Sequence, residues 1–193
     1  MASPTLLLLF TATLLLSSYG YGASESVSSS SAEKRNFAVD LTAVDFDAVL
    51  RDTPASYAIV EFYAHWCPAC RNYKPHYEKV ARLFNGVDAV HPGILLLTRV
   101  DCALKVNIDL CDRFSVNHYP MLFWGKSSEF VNGNWSLHGG IGEMRPIDNG
   151  RTHVQLLNWI NIYLNSMYGF DDEKKEESVL LTNVTNLGQV QIS

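Results

Sequence analysis

The sequence predicts an α/β domain, a central mixed β-sheet flanked by helices. Two nearly continuous apolar runs of strand length, Tyr57 to Ala64 and Ile94 to Val100, have the pattern of strands covered on both faces. Segments of helical spacing lie between and after them, and an apolar strand, a helix and a second apolar strand in that order imply a parallel pair.

Phe37 to Leu41 opens the domain as a short strand. Thr42 is placed to cap a following helix whose Val44, Phe46, Val49 and Leu50 suit one buried face, and Pro54 ends it. Tyr57 to Ala64 reads YAIVEFYA, interrupted only by Glu61. After Cys70, the offsets of Tyr73, Tyr77, Val80, Ala81 and Phe84 are those of a helix, which Pro75 should kink. Gly93 precedes the strand Ile94 to Val100, and Val106 to Phe114 reads as a short crossover helix. Met121 to Trp124 and Phe130 to His138 are the next strands, with turns at glycines 125, 133, 139, 140 and 142. A closing helix starts at Thr152 and carries Val154, Leu156, Leu157, Ile160, Tyr163, Leu164 and Met167. The order β, α, β, α, β, α, β, β, α is a mixed sheet sandwiched by helices.

The 193 residues divide into four parts. Leu6 to Leu16 reads LLLLFTATLLL, about half the length that spans a bilayer, and small residues follow it. Residues 1–23 are therefore read as a secretory signal, although no Lys or Arg precedes the apolar core. Residues 24–35 form a serine-rich linker, 36–170 the folded domain, and 171–193 an acidic linker and short tail. The DDEKKEE stretch at Asp171 to Glu177 holds −3 of the net charge of −5, and 15 basic against 20 acidic residues give no cationic footprint for a nucleic acid. Export places the chain in the secretory lumen or outside the cell, with no membrane contact once the signal is removed. It also brings the N-glycan triplets at Asn134 and Asn183 into play.

Four cysteines, at 67, 70, 102 and 111, allow three complete pairings. Cys67-Pro68-Ala69-Cys70 lies between a strand and a helix, which puts Cys67 at the N-cap, Pro68 at N1 and Cys70 at N3. Proline costs no hydrogen bond at N1, and the following amides point at the Cys67 sulfur and favour its thiolate. Lowering a thiol pKa from about 8.5 to about 7 raises the ionised fraction roughly tenfold at pH 7.4, but lost nucleophilicity takes back roughly fivefold. The larger benefit is a better leaving group and a relatively stable reduced dithiol, so that the pair can pass its disulfide on. Cys67 is assigned as nucleophile and Cys70 as resolver.

Competing readings of this motif are a zinc site, an inert disulfide and buried free thiols. The spacing of Cys102 and Cys111 is too long for the second half of a zinc site, so no metal is assigned. Pairing Cys102 with Cys111 would close a ring of about ten residues, worth roughly 2.5 to 3 kcal/mol before strain. A structural staple is the preferred reading of that pair, and a second exchange-active pair the alternative.

The run Val60-Glu61-Phe62-Tyr63-Ala64-His65-Trp66-Cys67-Pro68-Ala69-Cys70 resembles the active-site signature of thioredoxin-fold proteins, and Asn117-His118-Tyr119-Pro120 resembles the proline loop facing it. The RNYKPHYEKV sequence after Cys70, with Asp101-Cys102 and Cys111-Asp112, resembles the first thioredoxin domain of plant quiescin sulfhydryl oxidases. The resemblance covers Phe37 to Phe170. It implies a thioredoxin fold, a cis bond before Pro120, and a loop offering backbone hydrogen bonds to a bound polypeptide, with Trp66 and Tyr119 beside it. It also implies that Glu61 is a buried acid relaying protons to the resolving thiol, with a raised pKa. His65 and His118 are read as partly exposed, without an assigned role.

The same resemblance implies protein thiols and unfolded secretory polypeptides as partners. Family members couple this exchange to oxygen through a helical FAD domain. The residues after Phe170 contain no cysteine and cannot build such a domain, so no cofactor is expected on these 193 residues and no oxygen consumption by them alone. The alternative is a noncatalytic client-binding module. Protein disulfide isomerases carry Gly-His between their cysteines and commonly arginine where Asn117 stands here, so Pro68-Ala69 predicts a less oxidising pair.

Overall fold

The computed structural model describes residues 36–131 and 144–172. The signal at 1–23, the linker at 24–35, both glycan triplets and the tail beyond 172 lie outside the described residues.

Five strands form one sheet in the order β1-β3-β2-β4-β5. They are β1 (Val39–Leu41), β2 (Tyr57–Tyr63), β3 (Leu95–Asp101), β4 (Met121–Lys126) and β5 (Arg145–Pro146). The first three run parallel, β4 runs antiparallel to β2, and β5 antiparallel to β4. The mixed sheet and its flanking helices agree with the predicted fold class.

Alternation along the strands divides the core into two layers. Ile59, Leu95, Leu97, Leu122 and Trp124 pack with residues of α2 (Pro68–Phe84) and α5 (His153–Leu164). Ala58, Val60, Phe62, Val100, Met121 and Phe123 pack instead with residues of α1 (Phe46–Asp52), α3 (Ile108–Arg113) and α4 (Ser127–Val131). The central strand β2 contributes to both layers, which explains why its sequence shows almost no polar alternation. Polar ties reinforce the first layer: the fully buried Tyr77 hydroxyl donates to the carbonyls of Ile59 and Thr98, each at 2.9 Å. Asn85 closes the far end of α2 by donating to Phe37 O and Leu97 O, each at 2.8 Å.

Four local expectations need correction. The segment assigned as a strand from Phe130 is helical at Ser127–Val131, and residues 132–138 lie outside the described residues. Tertiary contacts override its apolar pattern: Phe130 is fully buried against Phe46 and Phe114, while Ser127 donates through its amide to Ser56 O and through its hydroxyl to Ala55 O. The second antiparallel strand is instead β5. The first helix starts at Phe46 rather than after Thr42, because Thr42 closes a turn in which its amide and hydroxyl donate to Asp45 Oδ1 at 2.6 and 2.9 Å. The last helix begins where Thr152 predicts, with a full capping box to Gln155. It ends at Leu164, where Asn165 takes a left-handed conformation with φ 48°, so Met167 lies beyond it and is exposed.

Candidate active site

The turn after β2 delivers the CPAC segment to the start of α2. Cys67 is the N-cap residue with extended backbone (φ −70°, ψ 122°), Pro68 occupies the first helical position, and the Cys67 amide donates to Ala64 O at 2.9 Å. Both Cys67 and Cys70 are free thiols, packed with Ala64, Tyr63, Ala103 and Tyr119. Opposite them, the chain enters β4 through a cis Tyr119–Pro120 bond, and the Cys67 thiol points at the Tyr119 carbonyl at 3.9 Å. Trp66 is 59% exposed and sets its ring edge-on to Tyr119. Cys67, Cys70, Trp66, Tyr119 and Pro120 are thus brought together.

The two sulfurs meet opposite electrostatic conditions. The Cys70 backbone amide is the largest influence lowering the Cys67 pKa, helped by the Cys70 thiol, the Ala69 amide and the Arg71 charge, while desolvation opposes them. Burial pushes Cys70 up to about 12, with the neighbouring Cys67 and Glu61 adding to the effect. Arg71 is also pinned, donating from Nη1 to Trp66 O at 2.8 Å.

Glu61 is fully buried, and its pKa rises to about 7 because desolvation outweighs the nearby Arg99. Arg99 Nε donates to Glu61 Oε2 at 2.6 Å, whereas Glu61 Oε1 is buried without a hydrogen-bond partner. The guanidinium also lies over the Tyr63 ring, 4.1 Å from its centroid, and within 3.8 Å of Glu78. Glu78 in turn accepts from the amides of Phe37 and Ala38.

Sequence reasoning missed Arg99, and a signal for it existed. Glu61 is the lone charge of β2 and Arg99 the lone charge of the apolar run Ile94 to Val100, and they are direct register partners across the β2–β3 pair. It also missed the clasp in which His65 Nδ1 lies 2.7 Å from Asp101 Oδ2, which ties the turn before Cys67 to the end of β3. No local pattern announces that contact, since it spans 36 residues. His118 contacts its neighbour Asn117 at 2.7 Å.

Cys102 and Cys111 are joined in a disulfide, with Cα atoms 5.9 Å apart. The bridge closes the crossover between β3 and α3 over a 3₁₀ turn at Lys105–Asn107. Buried Asn107 sits within this ring, donating to Asp101 O and accepting from the Ala43 amide. Among the described residues no cluster of three or more His, Cys, Asp or Glu side chains could hold a metal.

A free dithiol at a helix start, faced by a cis-proline loop on a mixed sheet, defines a thioredoxin-class domain. Residues 37–137 match the thioredoxin family, and the chain belongs to it. Within that class it is similar to plant sulfhydryl oxidases. It is 54% identical over 184 residues to Sulfhydryl oxidase 2 of Arabidopsis thaliana, covering 95% of this chain and 37% of that protein. Sulfhydryl oxidase 1 of the same plant is also 54% identical, over 85% of this chain and 31% of its own length. The chain therefore spans about a third of the length of these relatives. Protein disulfide-isomerase 1 of Dictyostelium discoideum is 34% identical over 47% of this chain and 24% of that protein.

Proposed function

We propose that the chain is a thiol–disulfide oxidoreductase of the secretory pathway, the domain of a sulfhydryl oxidase that exchanges disulfides with protein thiols. The observation that carries this reading is the opposed acidity of Cys67 and Cys70 beside the Tyr119–Pro120 loop. With the pair oxidised, a client thiolate attacks Cys67 and expels the Cys70 sulfur, and a second client thiolate then attacks the mixed disulfide and expels Cys67. Two electrons and two protons pass from the client dithiol to the CPAC pair, and the client gains a disulfide. Glu61 moves the proton of Cys70, for which a carboxyl with pKa about 7 is well matched. Trp66, Tyr119 and Pro120 hold the client backbone at the sulfur.

The Cys102–Cys111 bridge is a structural staple, and its presence supports an oxidising compartment, the secretory lumen or cell exterior. Unfolded secretory polypeptides are the partners, and neither nucleic acid nor membrane is assigned a role. The exchange needs only the sulfur pair, so we assign FAD and oxygen chemistry to full-length sulfhydryl oxidases and no cofactor to these 193 residues. Added FAD should leave oxygen uptake at the buffer rate in the presence of a dithiol substrate, and uptake above it would overturn that assignment.

The reading is tested by trapping. A Cys70→Ala chain should accumulate mixed disulfides with reduced and denatured clients, seen as thiol-sensitive adducts by mass spectrometry. Absence of adducts, with clients still bound by a Cys67→Ala chain, would instead establish a noncatalytic binding module.

A further inference from the structure

Beside the dithiol, a cavity of about 320 Å³ is lined by Ala69, Asn72, Tyr73, His76, Pro120 and Arg151. Ala69 lies between the two cysteines and Pro120 in the facing loop, so the cavity shares its rim with the exchange site. Among the described residues its wall contains no carboxylate, although the chain as a whole carries a net charge of −5. It is instead rich in hydrogen-bond donors. Arg151, in the loop before α5, is exposed and forms no hydrogen bond or ion pair among the described residues.

The inner wall points the same way. The Tyr73 hydroxyl is buried and has no hydrogen-bond partner among the described residues, an arrangement that is costly unless something completes it. The His76 ring is fixed from behind by His153, with their Nδ1 atoms 2.9 Å apart and the rings stacked. Lys79 Nζ stands 3.4 Å from the far nitrogen of His153, adding a cation behind the wall. Arg151, Asn72 and Tyr73 all line this space, and the guanidinium, amide and phenol they carry are the kinds of donor a carboxylate takes.

We propose that this cavity is a subsite for the carboxylate side chain of an acidic residue flanking the reactive cysteine of the client, recognised by Arg151 with Asn72 and Tyr73. The proposal rests on the exchange reading, which makes polypeptide thiols the substrate, and it adds a preference for acidic sequence around the cysteine. Arg151 is a specificity residue here. It binds the client beside the reacting sulfur and takes no part in the bond exchange.

Labelled peptides with one cysteine, carrying Glu, Gln or Lys at each of the three positions on either side, provide the test. Binding is measured by fluorescence anisotropy to the full chain with Cys67→Ser and Cys70→Ser, which removes exchange from the readout. At one or two adjacent positions the Glu peptides should bind about three- to tenfold tighter than their Gln counterparts. That preference should shrink at about 0.5 M salt, fall to about one in Arg151→Gln, and largely persist in Arg151→Lys. Equal or undetectable binding of Glu and Gln peptides at every position would overturn the subsite, as would a preference that survives Arg151→Gln. The same peptides offered to the oxidised native chain test the exchange reading separately. Failure to exchange with any of them defeats that reading, while the binding ratios still decide the subsite.

Discussion

Two sulfurs of one short motif differ in acidity because a helix start is asymmetric. Cys67 precedes the first turn and collects the amides of Ala69 and Cys70, while Cys70 lies inside the turn and is buried. A sulfur whose pKa is lowered gains its reactive anion at lower pH. Alkylation of Cys67 by iodoacetamide should therefore rise with pH through a midpoint below the ordinary thiol value of about 8.5. In Cys67→Ala, the remaining Cys70 should stay almost unreactive across that range, since burial, the largest influence on it, persists. A Cys67 midpoint at or above 8.5 would remove the basis of its assignment as nucleophile. The helix-start position of CPAC was legible because proline and cysteine at fixed offsets from an apolar strand leave little choice. The Glu61–Arg99 pair was legible only on one side: Glu61 stood out as a lone acid, but its partner follows from strand register, which a linear sequence does not display.

At the scale of elements, strands and caps were easier to read than the short helices. β2 and β3 emerge within a residue or so of their apolar runs, and Thr152 starts α5 through side-chain chemistry contained in four consecutive residues. By contrast α4 is five residues long and is fixed by distant groups, Phe46 and Phe114 in the core and Ala55 and Ser56 at the end of the sheet. Local pattern cannot report such contacts. The crossover into α3 is an intermediate case, in which the paired cysteines marked the closure and the role of Asn107 emerged only from its contacts. Replacing Cys102 and Cys111 together by alanine should lower unfolding free energy by about 2–3 kcal/mol in a urea titration, and Tm by roughly 10 °C. A loss under about 1 kcal/mol, together with slowed exchange, would mean that this bridge takes part in electron transfer.

For the whole molecule, the balance between dithiol and disulfide sets the direction of exchange, and every group that stabilises the thiolate makes the pair a stronger oxidant. Isomerases with Gly-His between their cysteines have a histidine to stabilise that anion. Here Pro68 and Ala69 supply no charge, leaving backbone amides and Arg71 against partial burial and an overall charge of −5. Loss of about 1–3 kcal/mol of stabilisation from the reduced form corresponds to roughly 20–60 mV, at 30 mV per 1.4 kcal/mol. The CPAC pair should then lie at about −200 to −240 mV, below the value near −180 mV of protein disulfide isomerase. Equilibration in glutathione buffers, acid quenching and mass counting of alkylated Cys67 and Cys70 measure it directly. A potential at or above −180 mV would mean that groups outside the motif replace the missing histidine. Under the proposed function, a pair near −240 mV would stand about nine-tenths or more oxidised in a lumen poised near −180 to −210 mV and so be ready to take electrons from client thiols, whereas at about −200 mV its oxidised share would fall to roughly a third where the poise is −210 mV.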